Sequence, residues 1–292
     1  MTIAACHVSP EGVVLGADSA TTLTSDHQGT CHLDYAQKLF EVGPEGSSVG
    51  LVTWGLGQVG QESHRTVAAE VGFKHEANPY ESMSAMASGL ATAFWERYIA
   101  AYGDYVELSK TLAAKVTAGD ATEAEQENLD RMFGILSGGY CLAGRVEEHG
   151  PVEAFTVMWA PHYTSPRVER VPDESPVFWG VSAIMERLIF GFDSPIISAI
   201  LESGNWSGTE DELLEIITGN QLISPRLLPI REAIDWVHTV IHTTIRTTKF
   251  ANWPHWCGGP VEIAVITTDR PFRWVRHKRL DAAIITSEEA RR

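Results

Sequence analysis

Thr2-Ile-Ala-Ala-Cys-His-Val8, Ser9-Pro-Glu-Gly12 and Val13-Val-Leu-Gly-Ala-Asp18-Ser19 run together at the start of the chain. The first and third pieces are apolar on both alternating faces, which marks strands of a sheet covered on both sides. The middle piece has turn chemistry, with Pro at the second position and Gly at the fourth. A hairpin centred on Pro10 and Glu11 pairs residues whose numbers sum to about 20 or 21, so Thr2 faces Asp18 and Ser19. A carboxylate in such apolar surroundings needs a cation. Lys38, heading the apolar stretch Lys38-Leu-Phe-Glu-Val42, is the candidate. The plainer alternative has Asp18 capping a turn and Lys38 as a solvated strand end, and spacing alone favours it.

Threonine at position two carries a second implication. Loss of Met1 leaves a hydroxyl nucleophile and a free α-amine base on the same residue. Whether the chain surrounds that residue with suitable groups decides the function.

The 292 residues can bury a large core, and the 44% hydrophobic and 21% charged content is that of a globular protein. A formal net charge of −16 excludes nucleic acid and anionic membrane as expected partners, since both reward clustered Lys and Arg. No apolar run reaches bilayer length. The amino terminus shows no secretory n-region and h-region. Cys6, Cys31, Cys141 and Cys257 are scattered without a CxxC pair, which reads as reduced thiols in a cytoplasm. Cys6-His7 with Cys31-His32 matches no zinc-ligand spacing, so neither metal nor cofactor is expected.

Further strands are predicted at Gln37–Val42, Ser48–Trp54, Gly138–Val146, Val152–Trp159, Cys257–Thr267 and Phe272–His277, with residues 21–34 polar and irregular. Helical patterns cover about 58–76 and 81–101, the second through Met83, Met86, Ala87, Leu90, Phe94 and Ile99. The acidic, weakly apolar segment at about 103–134 reads as a solvated helical insertion, and a second helical block spans about 183–249 with breaks near Gly204 and Pro225. Without strand–helix–strand alternation a doubly wound parallel sheet is disfavoured. An α+β fold results, with two antiparallel sheets covered by helices on both outer faces, in one domain over 1–292.

Gly55-Leu-Gly57-Gln-Val-Gly60 matches a dinucleotide fingerprint between a strand and a helix. The context fails it. Pro79 and a second helix follow where a parallel strand ending in Asp or Glu is required, and Glu76 and Glu81 end no strand.

The stretch from Thr2 through Gly12-Val-Val-Leu-Gly-Ala-Asp18-Ser19 resembles the opening of proteasome β-subunits and their bacterial relatives, HslV and the Anbu-type proteins. The Thr-to-Asp interval matches without a gap. Gln37-Lys38-Leu-Phe-Glu-Val-Gly43 is similar to the family's lysine strand, Thr53-Trp-Gly55-Leu-Gly57 to the turn before its first long helix, and Cys257-Gly-Gly-Pro-Val-Glu-Ile-Ala-Val265 to its closing strand. The matches run in order over about two-thirds of the chain.

The resemblance implies the N-terminal nucleophile fold, a four-layer αββα sandwich, and a threonine peptidase or amidohydrolase. By it, Thr2 attacks the amide carbonyl, Lys38 lowers the proton affinity of the Thr2 hydroxyl and amine, and Asp18 fixes Lys38. The backbone N–H of Gly55 donates to the oxyanion, and Thr22, Thr53 and Gly57 line the substrate cleft. Ser182, in Trp179-Gly-Val-Ser182, is the counterpart of a supporting serine. Pro254 and Cys257 stand where the family has an Asp and a Ser, so the support around the nucleophile departs from its pattern. Partners implied are a peptide or unfolded-protein substrate, further copies in a ring or spiral, and an unfoldase. The competing reading is a non-catalytic assembly subunit that retains Met1.

Overall fold

The Ser9-Pro-Glu-Gly12 turn joins β1 (Ile3–Ser9) to β2 (Gly12–Ala17), which pair antiparallel with Ser9 opposite Gly12 and Ala4 opposite Ala17. The register sum is 21, one of the two values that the turn chemistry allows. The computed structural model describes residues 2–25, 29–173, 176–220, 226–251 and 257–278.

The hairpin sits inside a five-stranded antiparallel sheet. β10 (Pro176–Gly180) flanks β1, and β2 is followed by β11 (Glu262–Thr267) and β12 (Arg270–Arg276). A second antiparallel sheet runs β5 (Leu39–Glu41), β6 (Val49–Gly55), β7 (Gly138–Gly144), β8 (Glu153–Trp159) and β9 (Arg167–Arg170). Seven helices are described: α1 (His64–Ala77), α2 (Met83–Ala118), α3 (Glu123–Leu136), α4 (Ala183–Phe190), α5 (Ser194–Glu202), α6 (Glu210–Gly219) and α7 (Ile230–Thr248). The fold is α+β, and no described helix is long and apolar enough to cross a membrane.

Side-chain alternation explains why β1 and β2 are buried throughout. Ala4, Cys6, Val8, Val13 and Leu15 meet Val52, Trp54, Cys141 and Ala143 of the second sheet. Ile3, Ala5 and Val14 point the other way, onto Met185 and Ile189 of α4 and Val237, Val240 and Ile241 of α7. The second sheet likewise turns Leu51, Tyr140, Leu142 and Val157 onto Val67 and Val71 of α1 and Met86, Leu90 and Phe94 of α2. Each fully buried aliphatic side chain contributes roughly 1.5–3 kcal/mol, so these three cores dominate the stability. Trp54 of β6 and Trp179 of β10 stack with centroids 4.5 Å apart, joining the sheets near one end of the hairpin. Gly16 lets α7 approach, because a Cβ there would lie 2.6 Å from Val237 and 2.7 Å from Ile241.

Several elements differ from expectation. Residues 21–34, read as irregular, contain the two-stranded hairpin β3 (Thr21–Ser25) and β4 (Gly29–Leu33). The sequence pattern does not predict β9 and β10. α1 starts at His64 with Ser63 as N-cap, not near 58, because the Gly-rich turn and a bridge between Val59 and Glu62 come first. α2 continues through the expected end near 101, with Tyr102 at φ −131° marking the break between its two parts. Met83 to Phe94 form its buried face, but Ile99 is exposed. Pro225, Pro254 and the tail from 287 lie outside the described residues.

Candidate active site

Asp18 follows β2 and is fully buried. Its carboxylate is saturated by four donors. Oδ1 accepts from Ile3 N–H at 3.2 Å and Lys38 Nζ at 2.7 Å, and Oδ2 from Ala20 N–H at 3.2 Å and Gly258 N–H at 3.0 Å. Hydrogen bonds of this kind offset the desolvation of a buried charge. Lys38 is itself buried, its ammonium held in the ion pair. The solvated-lysine alternative therefore does not hold.

Thr2 is buried just before β1, and its carbonyl accepts Val181 N–H at 2.8 Å. That contact demands glycine at 180, where φ is +89° and a Cβ would stand 1.8 Å from Thr2 O. Thr2 lines a cavity of about 70 Å³ together with Lys38, Thr53, Gly55, Gly57 and His64. Thr21, Thr22 and Ala36 complete the wall that faces β3.

The far wall is the end of β6. Thr53 N–H donates to Lys38 O at 2.9 Å, on the β5 side, whereas Leu56 N–H donates to Ser137 O at 3.1 Å, on the β7 side. N–H direction alternates along an antiparallel strand, so Gly55 N–H shares the side of Thr53, beyond the point where β5 begins. Gly55 has φ +83°, and a Cβ would lie 2.3 Å from Ser137 O. Only glycine fits. One cavity is thus lined by Thr2, by Lys38, whose ammonium is paired with the Asp18 carboxylate, and by Gly55.

His64, the first residue of α1, is buried with Nε2 2.6 Å from Leu56 O and Nδ1 2.7 Å from Tyr140 Oη. Burial lowers its pKa from the ordinary value, although the Leu56 carbonyl acts in the opposite sense. A second buried ion pair lies behind Ala36. Lys278 Nζ is 2.8 Å from Glu262 Oε2 and also donates to Ala36 O at 2.8 Å and Ser19 Oγ at 3.3 Å. His277 Nδ1 stands 2.7 Å from Glu262 Oε1, without hydrogen-bond alignment. Burial lowers the Lys278 pKa, against the pull of Glu262. Cys257 is buried near Asp18 and Lys38, and burial, with the Asp18 charge, pushes its thiol up to about 12. A thiol so protonated is no nucleophile.

Of the residues named from sequence, Thr2, Lys38, Gly55, Thr22, Thr53 and Gly57 share the cavity, and Asp18 backs it. Ser182 does not line it. It is the N-cap of α4, its N–H bound to Gly180 O at 3.0 Å and its hydroxyl making no cap bond. Met1 and Pro254 are outside the described residues. The nucleotide reading of Gly55–Gly60 loses its parallel strand, since β6 pairs antiparallel with both β5 and β7. Sequence reasoning missed His64, Gly180 and the Glu262–Lys278 pair. Glu262 carried a usable signal, an acid inside the apolar run Val261-Glu-Ile-Ala-Val265.

No family model and no curated protein matches the chain. Among solved structures it is similar to Anbu from Hyphomicrobium sp. strain MC1, with a TM-score of 0.49 and 13% identity over 99% of this chain and 96% of that one. A Gly-1 mutant of that strain's Anbu gives 0.48 and 12% over 100% and 95%. Anbu, an ancestral β-subunit, from Yersinia bercovieri gives 0.47 and 12% over 99% and 93%.

Proposed function

We propose that the chain is an N-terminal nucleophile amidohydrolase of the proteasome β-subunit kind, cleaving peptide bonds of peptide or unfolded-protein substrates through Thr2 after Met1 is removed. One observation carries this reading: the Lys38 ammonium is buried against Asp18, 2.7 Å away, in the wall of the cavity that Thr2 lines. Two antiparallel sheets sharing a core, each with helices on its other face, support the four-layer αββα arrangement. On this reading residues 1–292 form one domain, with a helical insertion at about 103–134. Assembly into a ring or spiral, and an unfoldase partner, rest on the motif resemblance.

In this mechanism the freed α-amine has a reference pKa of roughly 7.7–8.0, and a nearby ammonium, that of Lys38, pushes it lower so that the amine is partly neutral at pH 7. It accepts the hydroxyl proton as the Thr2 oxygen bonds to the substrate carbonyl carbon. The carbonyl π pair becomes the oxyanion, which takes the Gly55 N–H, a donor worth roughly 3–4 kcal/mol. Collapse breaks the C–N bond, and the leaving amine takes the proton from the α-ammonium. Water then repeats the sequence on the Thr2 ester. Asp18, its lone pairs engaged four times, holds Lys38 rather than moving a proton.

The departure from the family pattern at Pro254 and Cys257 favours the second reading, an assembly subunit retaining Met1. Intact mass and covalent labelling with an epoxyketone separate the two. The catalytic reading expects a chain lighter by Met1 and an adduct on Thr2 that Thr2→Ala abolishes. A chain that keeps Met1 and takes no adduct overturns it.

A further inference from the structure

Leu56 is held at both of its backbone polar groups. Its N–H goes to Ser137 O, and its C=O to the ring of His64 at 2.6 Å. A carbonyl only accepts, so the hydrogen of the ring is on Nε2. In the neutral imidazole Nδ1 then accepts, and the hydroxyl of fully buried Tyr140 donates to it at 2.7 Å. Lowering of the His64 pKa by burial agrees with the neutral form. Tyr140 also packs edge-on against His64, with centroids 5.4 Å apart. Tyrosine thus selects the tautomer, and the tautomer holds the carbonyl.

The held carbonyl belongs to the peptide unit whose N–H is that of Gly57. A trans peptide fixes that N–H opposite to the carbonyl. On the other side of Leu56, Gly55 offers its N–H to the cavity. Two glycines flank Leu56, and glycine backbones are otherwise the freest to rotate. A donor edge made of glycines needs an external clamp if it is to be organised before charge develops on it. No other ring reaches Leu56 O among the described hydrogen bonds.

We propose that His64, set in one tautomer by Tyr140, is a positioning residue that orients the Gly55–Gly57 backbone donors for the oxyanion. The proposal deepens the N-terminal nucleophile reading and rests on it. His64 itself transfers no proton, since both of its nitrogens are engaged.

Two electrophiles separate this role from general structural support. With a peptide aldehyde, the Thr2 oxygen bonds to the carbonyl carbon and the displaced π pair places charge on an oxygen in the donor edge. With a peptide vinyl sulfone, the same oxygen adds to the β-carbon and the proton ends on the carbon beside the sulfone, so no oxyanion forms there. Tyr140→Phe keeps the ring and loses only the hydroxyl, and His64→Gln keeps a donor on a different geometry. In both, aldehyde inhibition is expected to weaken about tenfold or more, a fraction of the ~10²–10³ lost when a donor is removed outright, while sulfone addition to Thr2 stays within twofold. Nitrogen NMR of the wild type should show His64 protonated at Nε2 alone from pH 5.5 to 8, and a mixture of tautomers in Tyr140→Phe. Unchanged aldehyde inhibition, equal loss of both reactions, or a His64 that is doubly protonated or mixed in the wild type overturns the clamp. Failure of the wild type to take sulfone on Thr2 instead removes the parent reading, whatever the NMR pattern.

Discussion

Lys278 and Glu262 form an ion pair of 2.8 Å in the interior, with the lysine also holding the carbonyl of Ala36, a residue in the wall of the Thr2 cavity. Removing one member of such a pair strands the other charge in a medium of low polarity, which costs about 3–5 kcal/mol. Lys278→Met is therefore expected to destabilise the chain by about 3 kcal/mol in urea unfolding. Lys278→Met combined with Glu262→Leu should recover most of that loss. A single variant within about 1 kcal/mol of wild type, on the scale where exposed pairs lie, would contradict the buried geometry.

Lys38→Met makes a sharper separation between structure and chemistry. Asp18 keeps three backbone N–H donors, from Ile3, Ala20 and Gly258. Stability should fall by about 2 kcal/mol, less than for a pair with no other partners. Labelling of Thr2 by an epoxyketone should fall about 100-fold or more, the scale of losing assistance to proton transfer. Lys38→Arg should not restore it, because a planar guanidinium cannot replace a compact ammonium in this space. Undiminished labelling in Lys38→Met would remove lysine from the mechanism.

His7 gives a pH dependence. It lies in β1, fully buried, with neither ring nitrogen bonded among the described residues, and burial lowers its pKa from 6.5. The unfolded chain therefore binds the proton more readily than the folded one, and stability falls as pH drops through 6.5 towards the folded-state value. His64 shifts in the same direction, so the contribution of His7 is read by difference. Between pH 7.5 and 5.5 the wild type should lose about 1 kcal/mol more than His7→Phe, measured by urea midpoints at the two pH values. Parallel losses in both proteins would show that His7 does not titrate within the core.

Gly180 is the position least able to accept a side chain near Thr2. With φ at +89° and only 1.8 Å between Thr2 O and the place a methyl group would take, Gly180→Ala must move backbone, not a flexible side-chain end. We expect a loss of at least about 3 kcal/mol, from left-handed strain and overpacking together. Thermal or urea unfolding tests this directly. A Gly180→Ala protein as stable as wild type would mean that β10 does not approach Thr2 so closely.

The hairpin register was legible because Pro10 and Gly12 leave one favourable turn, and the register in turn placed Asp18 beside Thr2. The apolar face of α2 was legible up to Phe94, where periodicity is strong. Missed elements share a cause. β3 and β4 carry no apolar alternation, β9 is the charged edge strand Arg-Val-Glu-Arg, and β10 is short and begins with proline. These strands are stabilised by the neighbours they pair with, and local composition does not announce that. The same holds for the site. Asp18 was visible as an acid in an apolar strand, whereas His64 and Lys278 gain their partners through contacts with residues distant in sequence, 140 for the one and 19, 36 and 262 for the other.

The four donors on Asp18 come from residues 3, 20, 38 and 258 of a 292-residue chain. On the ribosome the last of them is translated 220 residues after the third, long after the first three have emerged. A growing polypeptide therefore carries Thr2 beside an incompletely satisfied carboxylate until residue 258 has been made. Any reactivity that needs all four donors in place is thereby withheld from chains that stop short of residue 258, with timing enforced by topology alone.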